Sequence, residues 1–127
     1  MALEPDNSSS VCPRYHRAVE LIGRRWTGAI LMVLLQGASR FTDIVHAVPG
    51  LSDRLLSERL KELEAAGIVT RTVHPETPVR IEYQLTEQGH DLSGVVESIR
   101  AWASRWLPEE PIEEVSAAED IELVGAR

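Results

Sequence analysis

The chain has one cysteine, Cys12, in 127 residues. A single thiol excludes an internal disulfide framework and suits a reducing compartment, so the expected location is the cytoplasm. No apolar stretch approaches the roughly 20 residues that a membrane-spanning helix needs. The longest such run is Ala29–Leu35, so no membrane partner is expected. The first residues are acidic and polar, with Glu4, Asp6, Asn7 and a serine run Ser8–Ser10, and lack the apolar stretch of a signal peptide. No glycine-rich phosphate loop, nucleophile elbow or catalytic cluster is present, so neither an enzyme nor a cofactor is expected. Cys12 and His16 lie four apart, a spacing that can pair on a helix. The remaining histidines, His46, His74 and His90, fall on other elements, and no metal site is expected. No internal repeat is visible.

Positive charge is also in short supply, with 13 Lys and Arg against 20 Asp and Glu, a net of −7. Its distribution matters more than its total. Residues 108–127 hold seven acids against Arg127 alone, and residues 1–10 add Glu4 and Asp6. Residues 11–107 carry twelve basic and eleven acidic side chains, so the body is near neutral and its local patches decide whether phosphate is attracted. The organisation expected is an arm over 1–11, one domain over 12–107 and an acidic tail over 108–127. The tail, with Ile112, Val115, Ile121, Leu123 and Val124 among its acids, reads as a solvated extension or as a short amphipathic segment folded back.

The fold expected is mainly α with one small β-hairpin. Cys12-Pro13 precedes a first helix over about Arg14–Ile22, proline being well tolerated at a helix start. A second helix runs from about Arg24 to Gln36 and, being apolar on all sides over Ala29–Leu35, is expected to be central; Gly37 suits its end. A third, short helix covers Phe41–Val48. Val48-Pro49-Gly50-Leu51 then makes a tight turn, and Ser52 is a good cap for a fourth helix reaching Ala66. Two alternating runs, Ile68–His74 and Arg80–Thr86, form a hairpin with its tip at Pro75–Val79. One long helix is expected over Glu87–Trp106. Helix, tight turn, helix and hairpin in that order form a winged helix-turn-helix, an arrangement that places one helix in the DNA major groove.

On a helical wheel the fourth helix gathers Leu55, Leu56, Leu60, Leu63 and Ala66 on one arc. Arg54, Ser57 and Lys61 lie opposite, with Glu58 beside them. Early residues of such a helix meet base edges and later ones meet phosphate. Arg54 is therefore the candidate for guanine, Ser57 for a base or phosphate, and Lys61 for phosphate. Ser52, Arg40 and Thr42 can add backbone contacts at helix starts. Arg80 is the strongest wing candidate, with His74 and Arg71 weaker. Arg59 falls inside the apolar arc, where it either snorkels to phosphate or, as favoured here, pairs with an internal acid such as Glu62 or Asp43. The polar outer stripe argues against the alternative of a winged helix used only for protein contacts.

Several segments together resemble the HxlR-type regulators, a branch of the MarR-like winged helices. They are Cys12-Pro13, Ile22-Gly23-Arg24-Arg25-Trp26, Arg40-Phe41-Thr42-Asp43-Ile44, Pro49-Gly50-Leu51-Ser52, the stretch Arg59–Val69, the wing Pro75–Tyr83 and Leu85-Thr86-Glu87-Gln88-Gly89. The resemblance spans about residues 12–106. It implies a homodimeric transcription factor on a pseudo-palindromic operator, dimerising through the N-terminal region and the last helix. It also implies that a cysteine at the position of Cys12 can sense oxidants or electrophiles.

The residues support part of this on their own. Leu92, Val95, Val96, Ile99, Trp102 and Trp106 recur at three- and four-residue steps, a heptad-like seam for a partner copy. A two-fold dimer would set its recognition helices near 34 Å apart, about one DNA turn. Cys12 at a helix N-terminus, near Arg14, His16 and Arg17, has reason to favour thiolate, although an inert thiol fits as well. With no second cysteine, any disulfide must join two chains. The competing signal is a small apolar or aromatic ligand near the dimer interface, which Trp26, Trp102 and Tyr15 could line, although they fit equally well as core residues. The expected partners are thus double-stranded DNA, a second copy of the chain, and a small-molecule or electrophile effector. Repression is the expected sign of regulation.

Overall fold

The structure, a computed structural model, describes residues 11–109. The arm at 1–10 and the tail beyond Glu109 lie outside the described residues. Six helices and one antiparallel hairpin follow in the order α1 (Pro13–Ile22), α2 (Thr27–Leu35), α3 (Phe41–Ala47), α4 (Asp53–Ala65), β1 (Val69–His74), β2 (Arg80–Leu85), α5 (Glu87–His90) and α6 (Ser93–Trp106). Among the described residues no helix is long and apolar enough to cross a membrane.

The core lies where α2, α3, α4 and the base of the hairpin meet. Ile30, Leu31 and Leu34 of α2 pack with Ile44 of α3, with Leu56, Leu60 and Leu63 of α4, and with Val69 and Tyr83 of the strands. The expected turn is pinned at both ends, because Val48 and Leu51 are buried and the Leu51 N–H donates to the Val48 carbonyl at 3.2 Å. Gly50 sits at φ 89°, a conformation open to glycine at little cost. Ser52 caps α4 as expected, its Oγ accepting from the Leu55 N–H at 3.1 Å. In the hairpin Val69 opposes Leu85, Arg71 opposes Tyr83 and Val73 opposes Ile81. Val69 is buried while Val73 is 47% exposed, so the hairpin leaves the core toward its tip.

Three features differ from the sequence expectation. First, α2 begins at Thr27 rather than Arg24, because Trp26 adopts φ 78°. A bulky residue in that region costs on the order of 1–3 kcal/mol and persists only where its surroundings impose it. The turn leaves the Arg25 carbonyl outside the helical ladder, where Arg59 takes it. Second, α2 is not buried all round: Gly28 is exposed, and Ala29 and Met32 border an open groove. Third, the single last helix is two. The Leu92 N–H bonds the Gly89 carbonyl three residues back, and this tight turn separates α5 from α6.

Gly89 explains the position of that turn. The Thr86 Oγ accepts from the Gly89 N–H at 3.1 Å and donates to the Gly67 carbonyl at 2.6 Å, while Gln88 Nε2 donates to the Ala66 carbonyl at 3.1 Å. These bonds hold α5 against the end of α4. A Cβ on Gly89 would stand 2.3 Å from the Ile68 carbonyl oxygen. Gly89→Ala is therefore expected to destabilise the fold by about 1–3 kcal/mol, as overpacking does. Denaturant unfolding measures this directly, and an unchanged midpoint would show that α5 slides freely.

Candidate nucleic-acid interface

The outer face of α4 is presented by its inner face. Leu56, Leu60 and Leu63 are buried, and Leu55 is half-buried. This leaves Arg54 and Lys61 exposed on the far side, with Ser57 half-buried between them. The Arg54 side chain is 82% exposed and stands 3.9 Å from Glu58. An exposed pair at that distance contributes little and yields readily to a stronger acceptor. Lys61 has no carboxylate within 4 Å among the described residues.

Arg40 and Thr42 are exposed at the start of α3, Arg40 in the N-cap position with an extended backbone. This segment is attached to the wing. Arg40 bridges Glu82 in an antiparallel pair, and the Tyr83 N–H donates to the Ser39 carbonyl at 2.7 Å. Ser39-Arg40 is thus a stub of third strand beside β2. The sequence pattern carried no signal for it, because two residues are too few to show an alternation.

The wing holds its expected cations differently from the way the sequence suggested. Arg80 donates to Glu82 at 3.0 Å and to Glu76 at 2.9 Å, and its guanidinium is largely covered. His74 Nε2 lies 3.0 Å from Glu82. Their partners are at i+2, i−4 and across the strand, positions that a residue-by-residue search for basic side chains passes over. Both side chains brace the wing in this geometry. Arg71 is exposed with no carboxylate within 4 Å among the described residues. Arg59 takes the favoured structural role: 7% exposed, it donates from Nε to the Arg25 carbonyl at 2.9 Å and from Nη1 to Glu62 at 3.4 Å. Asp43 is not its partner.

A second surface lies on the other side of the domain. The helix α1 has no buried residue, and Val11, Tyr15 and Val19 are exposed. On α6, Leu92 and Val96 pack against the domain's own core, whereas Val95, Ile99, Trp102 and Trp106 face outward at 42%, 55%, 58% and 63% exposure. The expected seam is therefore two faces, and only the second is available to a partner. Between α1, α2 and α6 runs an apolar groove of about 990 Å³, bordered by Tyr15 and Trp26 but not by Trp102. Cys12 is exposed at the open N-terminus of α1. The backbone N–H groups of Tyr15 and then Arg14, with the charges of Arg14 and Arg17, hold its thiol below the ordinary value.

Residues 21–111 match the family described as HxlR-like helix-turn-helix. The chain is 50% identical over 101 residues to the HTH-type transcriptional regulator YvaP of Bacillus subtilis, covering 80% of this chain and 94% of that one. It is 45% identical over 98 residues to the regulator YodB of the same organism, covering 77% and 88%. The solved structure of reduced YodB superposes with a TM-score of 0.69 at 44% identity, covering 80% of this chain and 99% of that one. YodB has also been solved after diamide treatment and with quinone bound. The reduced form of the redox regulator HypR superposes with a TM-score of 0.68 at 33% identity, covering 72% and 91%.

The exposed stripe of α4 generates a paired expectation. Arg54→Ala should cost about 1–3 kcal/mol on a cognate duplex and relax one base position, while Lys61→Ala weakens all duplexes alike and lowers the salt slope by about 1. Anisotropy titrations on cognate and scrambled DNA separate the two. Equal losses for Arg54→Ala on both duplexes would remove its base-reading role.

Proposed function

The chain belongs to the HxlR-like helix-turn-helix family of transcriptional regulators, and from that premise we propose that it is a homodimeric repressor that reads a pseudo-palindromic operator. The observation that carries this reading is the α4 surface, where exposed Arg54 and Lys61 back onto a buried leucine face directly after a pinned turn. Arg54 and Ser57 read bases in the major groove. Lys61, Arg40, Thr42 and Arg71 meet phosphate, and Ser52 and Glu58 set the start of the helix and the resting position of Arg54. Arg80 and His74 hold the wing in shape, and Arg80 reaches phosphate only by exchanging Glu76.

The exposed faces of α1 and α6 seat the second copy. Four large apolar side chains at 95, 99, 102 and 106 form a stripe that a partner's helix can cover. The two α4 helices of a two-fold dimer then stand about 34 Å apart. Cys12 supplies the control: its lowered pKa and exposure suit attack on an oxidant or electrophile. The diamide-treated and quinone-bound YodB structures support the same class of signal. A second reading, favoured by the apolar groove beside Tyr15 and Trp26, places a small aromatic ligand there instead.

The deciding experiment is binding to the intergenic DNA beside the chain's own gene, titrated against salt with a scrambled competitor, with and without diamide. Preference over scrambled DNA, steep salt dependence and loss with diamide are expected, and Cys12→Ser should remove only the last. Diamide sensitivity that survives Cys12→Ser would remove Cys12 from the response. For the thiol itself, alkylation rate should rise with pH at a midpoint below that of an ordinary cysteine, because the folded environment favours thiolate. A midpoint at or above the ordinary value would make Cys12 an unactivated thiol.

A further inference from the structure

Arg59 lies on the DNA-reading helix, yet it faces away from where DNA would be and is almost wholly covered. A buried guanidinium must have its donors matched, and its partners belong to two places. Glu62 and Glu58 are on α4 itself, at 3.4 and 3.8 Å. The Arg25 carbonyl, at 2.9 Å, belongs to the irregular corner between α1 and α2. A second link crosses the same gap, Arg24 to Glu62 at 3.3 Å. The corner therefore meets α4 through a hydrogen bond to Arg59 and an ion pair to Glu62, two residues that also pair with each other.

The same corner borders the groove. Arg24, Arg25 and Trp26 all line it, and Arg25 stacks 5.2 Å above the Trp26 ring. Trp26 holds its left-handed backbone although its indole Nε1 is buried without a hydrogen-bond partner among the described residues. The side chain of Trp26 thus does not fix the corner by hydrogen bonding. The fixed point is the Arg25 carbonyl, held from the opposite side by Arg59.

We propose that Arg59 is a positioning residue for DNA recognition, and that its bond to the Arg25 carbonyl makes the Arg24–Trp26 corner the joint through which filling of the groove displaces or steadies α4. The inference rests on the reading of α4 as the DNA-reading helix and of the α1 and α6 face as the partner's seat. Whatever shifts the corner shifts an acceptor that Arg59 cannot give up without leaving a buried donor unmatched. The coupling is reciprocal, as linkage requires, so DNA held against α4 changes how readily the groove is filled, by the same factor.

A double-mutant cycle on the intact chain tests this. Gly28 is exposed on the groove side of α2 with nothing within 4 Å of an added Cβ, so Gly28→Leu occupies part of the groove beside the corner and leaves the core intact. Arg59→Lys keeps the charge but loses the planar fork that reaches a carbonyl and a carboxylate together. Hydrogen exchange of the amides over residues 53–65 is the readout, and it needs no DNA. Gly28→Leu should change these rates by about fivefold or more in the native background, and by less than about twofold beside Arg59→Lys. Equal changes in the two backgrounds, or none in either, would overturn the joint. Should Arg59→Lys not fold, Arg59→Gln, whose amide cannot reach the Arg25 carbonyl and Glu62 together, takes its place with the same two outcomes. DNA affinity of the same four proteins is measured in parallel. Failure of the native chain to prefer any operator would count against the regulator reading, while the exchange rates still decide the joint.

Discussion

A guanidinium removed from water needs acceptors of the protein for its N–H donors, or the cost runs to several kcal/mol. Arg59 stands among Leu56, Leu60 and Leu63 in the middle of the domain, so the fold must bring an acceptor to it. That acceptor is a backbone carbonyl 34 residues earlier in the chain, and it lies just before the late start of α2. The left-handed Trp26, the delayed helix and the buried arginine are three expressions of one requirement. The orientation of α4, and with it the aim of Arg54 and Lys61, follows from how that requirement is met.

The rest of the chain divides into a half that is finished and a half that is not. Around α4 and the hairpin base, the apolar side chains are covered and the helix ends are capped by Ser52 and Thr86. Around α1 and the outer side of α6, valine, isoleucine, tyrosine and two tryptophans face solvent. Exposed apolar surface of that extent on a small domain marks an interaction site. The two halves meet at the α1–α2 corner and along Leu92 and Val96, which turn inward while their neighbours Val95 and Ile99 turn out.

The order of elements was legible because each has a strong local cause. Pro13, Pro49-Gly50 and Ser52 mark boundaries through backbone chemistry that does not depend on distant residues. The inward arc of α4 was legible for the same reason, as a period of 3.6. The start of α2 was not, since it follows a left-handed Trp26 beside a carbonyl that meets Arg59 from 34 residues away. Nor was the division of the last helix, which depends on how closely Gly89 approaches the Ile68 carbonyl. In the candidate interface the exposure of Arg54 and Lys61 follows from the wheel alone. The capture of Arg80 and His74 by Glu76 and Glu82 depends on the hairpin register, and so basic side chains that look equivalent in the sequence are unequal in the fold.

The short bridge between Ser39-Arg40 and β2 also has a mechanical meaning. It welds the base of the wing to the start of α3, and α3 is joined to α4 through a turn pinned by Val48 and Leu51. The wing, the start of α3 and α4, in the DNA-reading role proposed for them, thus form a gauge of fixed width. A duplex that does not match the gauge cannot be accommodated by a swinging finger. It must change its own groove width or curvature, so the stiffness of the bases between the contacts becomes part of what the protein can tell apart.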